Sequence, residues 1–170
     1  MKRGAHRGPR QVRAARGLWL CAVMLLAPAA HAVVSCTVSA TGPNFGIYNP
    51  LSAAPTLANG QVTATCTRVS GGTQSVTLTS SYSIGSGSSY AARTLRSGTN
   101  VLNYNLYYDA AFTQIRGNGT GGSQQGGATM TVSRGSPVQT TTSTIYGRIP
   151  AGQDVAPGVY TDTIVVTITY

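Results

Sequence analysis

Short runs in which apolar and polar residues alternate make up most of the chain after residue 32, and no segment there keeps a helical period. Alternation with a period of two places every second side chain on one face of a β-strand. Gly-Pro, Asn-Pro, Asn-Gly and Pro-Gly pairs, which are typical of turns, stand between the runs. The pattern predicts strands over residues 34–41, 61–68, 74–80, 101–108, 128–134, 142–149 and 159–170. Seven short strands separated by turns predict an all-β fold, a β-sandwich.

The last predicted strand ends the chain without a covering segment. Ile164, Val166, Ile168 and Tyr170 share one face of this strand. Proteins usually protect an apolar edge of this kind with charge, proline or a covering segment. Two interpretations stay open on the residues alone: a central strand that happens to close the chain, or a strand whose neighbour is supplied by another chain. Two glycine- and serine-rich segments, residues 80–89 and 117–127, are predicted to be mobile loops.

The first 32 residues have the parts of an export signal. Six basic residues precede an apolar run of 13 residues, and Ala30-His31-Ala32 offers the small residues that cleavage requires. This run is shorter than the roughly 20 residues that span a bilayer, which disfavours a retained membrane anchor. We therefore predict a cleaved signal peptide over residues 1–32 and one domain over residues 33–170, with no membrane span after cleavage.

Loss of the signal changes both charge and chemistry. The whole chain has 12 Lys and Arg against 3 Asp and Glu, but residues 33–170 keep six arginines and three aspartates, a net charge of +3. No basic cluster with interleaved aromatic residues remains, which argues against nucleic-acid binding. Residues 33–170 also lack His, Glu and Lys, the groups on which general acid–base catalysis most often depends. We predict no catalytic residue, no cofactor, no metal site and no enzyme.

Two cysteines, Cys36 and Cys66, remain after the predicted cleavage. An even number of cysteines in an exported chain indicates a disulfide. Both lie on the apolar side of a predicted strand, where neighbouring strands would bring them together. Free buried thiols are the alternative.

Several short motifs occur in a fixed order along the chain. They are Cys36, Phe45-Gly46-Ile47-Tyr48, Cys66, Arg93-Thr94-Leu95, Leu102-Asn103-Tyr104-Asn105-Leu106-Tyr107 with Asp109, Tyr146-Gly147-Arg148-Ile149-Pro150-Ala151-Gly152-Gln153, and Gly158-Val159-Tyr160-Thr161-Asp162-Thr163. Together they resemble the spore coat protein U domain, which subunits of archaic chaperone–usher pili share. The resemblance covers essentially all of residues 36–170.

The resemblance implies an incomplete immunoglobulin-like β-sandwich that lacks one strand. A periplasmic chaperone would lend this strand, and a neighbouring pilus subunit would later replace it at the outer-membrane usher. Ile164, Val166, Ile168 and Tyr170 would then form the wall that the chaperone or the donor strand meets. The resemblance implies a protein exported through the periplasm into a surface pilus or coat, with a role in cell adhesion or biofilm, and an isolated subunit of low stability.

Two departures from the family pattern bear on function. A Trp-Gly-Asp-Gly-like turn of the family is Arg116-Gly117-Asn118-Gly119 here, which keeps the glycines and loses the aromatic residue and the acid. Only residues 33–35 would precede Cys36 after cleavage, and three extended residues span about 10 Å, too little to complete a neighbour's sheet. We therefore predict a tip or terminal subunit, or a coat component, rather than a repeating shaft subunit.

Further residues are predicted to have structural roles. We predict that six of them fix turns: Asp109, Gly117, Gly119, Gly147, Gly158 and Asp162. The two aspartates would hold turns or pair with an arginine such as Arg148. Tyr104, Tyr107, Tyr108, Tyr146 and Tyr160 are candidates for either core or an adhesive surface. The alternative function is a self-contained secreted module that binds carbohydrate or another surface, and it differs from the first in having a complete sheet.

Overall fold

The computed structural model describes residues 33–170, so the predicted signal peptide lies outside the described residues. These residues form eight β-strands and no helix, and therefore no helix able to cross a membrane. The strands are β1 (Val33–Thr41), β2 (Thr56–Ser70), β3 (Gln74–Tyr82), β4 (Arg93–Ser97), β5 (Asn100–Tyr107), β6 (Gly126–Val132), β7 (Val138–Ile149) and β8 (Val166–Thr169). The predicted all-β fold is confirmed.

The strands form two antiparallel sheets that pack face to face as a sandwich. The first sheet has the order β1-β2-β7-β5-β4, and the second has the order β6-β3-β8. Threonine and valine, which favour extended backbone, alternate in β1 and β2 and fix their register, with Cys36 opposite Cys66. The first and last strands therefore lie at edges, β1 in one sheet and β8 in the other.

The core lies between the sheets in two clusters. The larger contains Val62, Tyr82, Leu102, Tyr104, Leu106, Ile145 and Ile149. The smaller contains Ala64, Cys66, Val76, Leu78 and Val132. Several apolar residues that pack on these clusters are only partly buried, and those nearest β1 and β8 border the site described below.

The structure departs from the predicted strands at β4 and at the end of the chain. The sequence of β4, Arg-Thr-Leu-Arg-Ser, did not predict a strand because its two arginines interrupt the alternation of apolar and polar residues. The predicted strand 159–170 shrinks to β8, although residues 161–165 stay extended and Thr161 forms an isolated bridge with Arg96. Before Val166 this segment bonds to Arg96 and Ser83 at separate points only, and the continuous pairing with β3 begins at Val166.

The two segments predicted to be mobile loops are instead held by hydrogen bonds. In residues 117–127, Gly117 N–H donates to the Gln124 carbonyl oxygen at 2.8 Å, and the Ser123 hydroxyl donates to the Thr120 carbonyl oxygen at 2.6 Å. In residues 80–89, the first three residues continue β3. Glycine and serine content predicted mobility because composition alone does not show hydrogen bonds formed within such a segment.

Candidate functional site

Two apolar rows, one in each edge strand, are only partly covered. The inward-facing residues are Val34, Cys36 and Val38 in β1, and Ile164, Val166 and Ile168 near the end of the chain. Val38 is 44% exposed and the other five are half-buried. In the neighbouring central strand β2, by contrast, Val62, Ala64 and Cys66 are buried. The sandwich is therefore well packed at its centre and open along one side, between β1 and β8.

A groove runs along this open side, between residues 40–50 and the chain segment that leads into β8. It has two compartments, with volumes of 760 Å³ and 340 Å³. Pro43, Phe45, Leu95 and Asp162 line both compartments, so the two are parts of one groove. Core side chains form its floor: Leu102 and Ile149 in the larger compartment, and Tyr82, Tyr104, Leu106 and Ile145 in the smaller one.

The backbone of residues 161–169, beside the groove, is hydrogen-bonded on one side. Thr161 exchanges two hydrogen bonds with Arg96, at 2.8 and 3.0 Å, and the Val165 carbonyl oxygen accepts from Ser83 N–H at 2.9 Å. β8 then pairs with β3. Within the described residues no strand pairs with the groove-facing side of β8, and β1 likewise pairs only with β2. Unpaired peptide groups therefore face the groove from both walls.

Tyr170 narrows one end of the groove. Its hydroxyl accepts a hydrogen bond from Cys36 N–H at 3.4 Å, so the last residue of the chain reaches across to β1. The other end, near Pro50 and Val155, is the wider one, because the larger compartment lies there. Of the four predicted wall residues, Ile164 and Val166 line the smaller compartment. Ile168 lines a separate pocket with Leu78 and Ala128, and Tyr170 contacts Cys36.

Asp162 fastens the groove wall to the rest of the sandwich. One carboxylate oxygen accepts from the Tyr104 hydroxyl at 2.6 Å, and the other accepts from Ser86 N–H at 2.8 Å and Thr163 N–H at 2.8 Å. Burial, followed by the hydrogen bond to Asp162 and its negative charge, raises the pKa of Tyr104 well above its ordinary value. The phenol therefore stays protonated and keeps donating.

Asp109 also accepts hydrogen bonds, in the loop that follows β5. Its carboxylate accepts from Thr113 N–H, from the Thr113 hydroxyl at 2.8 Å and from Gln114 N–H at 2.8 Å. These bonds, led by that from Gln114, lower the pKa of Asp109. Neither Asp109 nor Asp162 takes Arg148 as a hydrogen-bond partner, because Arg148 lies over the Phe112 ring, with Cζ 5.6 Å from its centroid.

The glycines assigned to turns serve different needs. Gly119 has φ +85, a left-handed conformation that suits a turn, and Gly158 lies in a bend with Ser97 Oγ 2.6 Å from where a Cβ would be. Gly117 is buried, and a Cβ there would meet Ser123. Gly147 is not in a turn but inside β7, where a Cβ would lie 2.7 Å from the Phe45 ring. A small residue is needed there to let Phe45 pack closely.

The predicted disulfide between Cys36 and Cys66 is confirmed. The two residues are direct cross-strand partners in β1 and β2, and their sulfurs are 2.05 Å apart. The bond ties the edge strand β1, one wall of the groove, to the buried strand β2.

Two buried arginines, which sequence reasoning missed, lie behind the groove floor. Arg93 donates to Asn105 Oδ1 at 2.9 Å and to the carbonyl oxygens of Ser83 and Arg116. Its burial lowers its pKa. Arg116 donates to the Tyr82 hydroxyl at 2.6 Å. Both are 0% exposed. A buried charge normally signals a carboxylate partner, and the only usable hint here was Arg116 standing where the resembled family often has tryptophan.

Arg116 occupies a polar and aromatic cage. Besides the Tyr82 hydroxyl, it donates to the Ser143 hydroxyl at 2.7 Å and to the carbonyl oxygens of Tyr107 and Thr144. Its guanidinium lies 3.9 Å from the centroid of the Tyr108 ring. The side chain therefore packs in the interior and cross-links β5 to β7.

The five tyrosines divide between core and surface. Tyr104 is buried, Tyr108 covers Arg116, and the Tyr160 hydroxyl donates to the Ala156 carbonyl oxygen at 2.8 Å beside the groove. Tyr107 and Tyr146 are cross-strand partners. Since their neighbours Leu106 and Ile145 point into the core, both tyrosines face outward from the first sheet.

Within residues 33–170 no group of three or more His, Cys, Asp or Glu is placed to hold a metal ion. The groove itself is largely apolar and is bordered by strand edges without a paired strand among the described residues, a surface that suits an extended polypeptide strand.

Comparison with known proteins identifies relatives of the chain. The profile of the Spore Coat Protein U domain matches residues 22–167. Protein U of Myxococcus xanthus is 33% identical over 136 residues, which cover 75% of this chain and 70% of that protein.

Among solved structures, the similarity extends to the crystal structure of the CsuC–CsuE chaperone–tip adhesion subunit pre-assembly complex from archaic chaperone-usher Csu pili of Acinetobacter baumannii. The two chains are 17% identical, with a TM-score of 0.49, and the match covers 81% of this chain and 40% of that one. This chain thus spans less than half the length of that structural relative.

Proposed function

Because the chain belongs to the spore coat protein U domain family, we propose that it is an exported structural subunit of a surface pilus or coat, and that a strand from a partner completes its sandwich. The single observation that supports this most directly is the groove between β1 and β8. Ala40 of β1 lines the smaller compartment together with Ile164 and Val166, and among residues 33–170 the outer edges of β1 and β8 have no paired strand. A strand lying there would satisfy both the apolar rows and the peptide groups.

The free energy available from such a strand is large. Four or five apolar side chains entering the groove at about 1.5–3 kcal/mol each would contribute on the order of 10 kcal/mol before ordering costs. This matches the whole stability of a typical domain, about 5–15 kcal/mol. The subunit alone would accordingly be unstable, and assembly would depend on a strand donor at every step.

The proposed partners follow from this dependence. A periplasmic chaperone supplies the strand after export and removal of residues 1–32, an outer-membrane usher receives the complex, and a neighbouring subunit takes the chaperone's place. The finished structure lies at the cell surface, where it serves adhesion or biofilm. In this role Ile164, Val166, Ile168 and Tyr170 meet the partner strand, and the chain needs no catalytic residue or cofactor.

A tip or terminal position is the finer part of the proposal. β1 begins at Val33 and Val33 is already paired with Ser70. With cleavage after Ala32, every residue before Cys36 would thus belong to the subunit's own sheet and none would be left to donate. N-terminal sequencing of the exported protein tests this. A mature N-terminus well upstream of Val33 would contradict the tip or terminal position. The family match itself begins upstream of Val33, at residue 22.

Co-expression in a periplasm, with and without the cognate chaperone, tests the main proposal. Soluble yield and heat stability of the exported chain are the measurements. We expect the chain to survive only as a chaperone complex. Ile164→Asp, which puts a charge into the groove, should abolish recovery of the complex. Val165→Asp is the matched control, because Val165 is the next residue, is 61% exposed and points away from the groove.

A chain that accumulates alone as a stable monomer, unaffected by Ile164→Asp, would contradict the proposal. That result would favour the second candidate, a self-contained secreted module that binds carbohydrate or another surface.

A further inference from the structure

A strained aromatic residue stands on the outer side of the first sheet, away from the groove. Phe112 has φ +59 and is the one residue other than glycine with a positive φ among residues 33–170. A bulky side chain in this conformation costs about 1–3 kcal/mol and persists only where the surroundings enforce it. Asp109 does so here: its carbonyl oxygen accepts from Phe112 N–H at 3.1 Å, and its carboxylate holds Thr113 and Gln114.

The enforced conformation brings Phe112 back onto the sheet. Its ring packs edge to face against Tyr107, with the centroids 5.4 Å apart. Tyr107 lies opposite Tyr146, and Arg148 follows two residues later on the same face of β7. Tyr107, Phe112, Tyr146 and Arg148, all half-buried, thus form one surface, which we call the aromatic–arginine patch.

Arg148 differs from the buried arginines in its bonding. Arg93 and Arg116 donate to several oxygens each. Arg148, by contrast, makes no side-chain hydrogen bond within residues 33–170, and its guanidinium lies over the Phe112 ring. Its enclosed Nε lacks a partner, as the Nε of Arg93 also does. Among the described residues Asp109 forms no ion pair with Arg148, and its carboxylate accepts from Thr113 and Gln114.

We propose that the aromatic–arginine patch binds a carboxylate-bearing polysaccharide, one built from uronic acid units. A guanidinium donates to a carboxylate in a two-pronged, charge-assisted arrangement. Flat aromatic side chains next to it offer apolar area to the C–H face of a sugar ring at low entropic cost. The net charge of +3 on residues 33–170 favours the approach of an anionic polymer.

The patch and the groove lie in separate parts of the molecule. The groove lies between β1 and β8, whereas the patch lies on β5, β7 and the loop after β5. A strand in the groove would leave the patch exposed, so this inference does not depend on the proposed assembly role. It adds a ligand to a surface protein rather than a step in assembly.

Binding of the exported protein, in whichever soluble form it is purified, to immobilised polyuronate and to neutral dextran of equal length tests the inference. We expect binding to polyuronate only. Arg148→Gln should weaken it by about tenfold, the loss expected for one charge-assisted pair. Arg134→Gln is the matched control, since it removes the same charge from an exposed turn, and should change binding less than about twofold.

A second variant separates binding from folding. Phe112→Gly accepts the left-handed backbone without strain, so heat stability should be kept while polyuronate binding falls. Equal losses with Arg134→Gln and Arg148→Gln, equal binding to dextran, or absence of any polyuronate binding would each overturn the inference.

Discussion

The buried arginines among residues 33–170 are stabilised by hydrogen bonds to neutral oxygens and by aromatic rings rather than by hydrogen bonds to carboxylates. Arg116 is fully buried, and its guanidinium donates hydrogen bonds to hydroxyl and carbonyl oxygens. The rings of Tyr82 and Tyr108 lie beside it. A buried charge is tolerated only when its hydrogen-bonding capacity is used. Tyr82 also lines the groove, so Arg116 helps to fix the floor on which a partner strand would rest.

Asp162 is the residue that joins the groove wall to the core, and its link to Tyr104 gives a pH-dependent prediction. The folded pKa of Tyr104 is raised, mainly by burial and then by Asp162, while an unfolded tyrosine ionises at about 10. The unfolded chain therefore releases this proton first. The contribution to stability is complete below pH about 10 and is lost as the pH rises further.

Tyr104→Phe should accordingly reduce the stability by about 1–3 kcal/mol at pH 7, because it removes a hydrogen bond to a carboxylate, and should flatten its fall above pH 10. Denaturant unfolding from pH 7 to 11.5 measures both effects on the chain as purified. Tyr160→Phe, which removes a hydroxyl bonded only to the Ala156 carbonyl oxygen, is the control. An unchanged alkaline slope in Tyr104→Phe would mean that the pKa of Tyr104 is not raised in the folded chain.

At the scale of strands, the alternation of apolar and polar residues predicted every strand except β4, and it made the last strand too long. β1 and β3 lie close to their predicted bounds, and the cysteine positions predicted the disulfide. β4 was missed because Arg93 is buried by Asn105 and by carbonyl oxygens distant in sequence, which no local pattern reveals. The last strand was overextended because alternation continues through residues 159–165, which pair only at separate points with Arg96 and Ser83 and not in a continuous ladder.

The groove was only partly predictable from the sequence. The alternation placed Ile164, Val166 and Ile168 on one face of the last strand, and only the family resemblance implied that this face forms a wall. Phe45 and Leu95 could not be assigned to the groove, because they belong to a segment outside the strands and to the missed strand β4, and only tertiary packing brings them to the groove.

Gly147 shows how a central strand shapes the groove and supplies the prediction at this scale. A Cβ at residue 147 would lie 2.7 Å from the Phe45 ring and 3.0 Å from the Ala58 carbonyl oxygen. Gly147→Ala should therefore displace Phe45, which lines both compartments, and cost about 1–3 kcal/mol of stability. Gly72→Ala, where a Cβ would meet nothing within 4 Å, is the control.

Thermal unfolding measures the loss in both glycine variants, and recovery of the chaperone complex measures its effect on the groove. Equal stability of the two variants would mean that Phe45 is not held against Gly147.

In the molecule as a whole, the Cys36–Cys66 disulfide lies beside the groove. The disulfide ties β1 to β2, so one groove wall stays in place while the space beside it is open. The other wall, residues 161–169, is held by β3, Arg96 and Asp162. Both walls are thus positioned before any strand arrives, and binding should add protection to them without rebuilding the sandwich.

Hydrogen exchange, compared between the chain bound to its strand donor and the chain just released from it, would measure this directly. We expect new protection at alternate amides of β1 and of residues 161–169, those that point into the groove. β2 and β7, paired on both sides over their central residues, should already be the slowest to exchange, and Tyr107 and Phe112 should not change. Protection gained uniformly over the chain would instead mean that the partner folds the whole domain, and that the groove does not exist before binding.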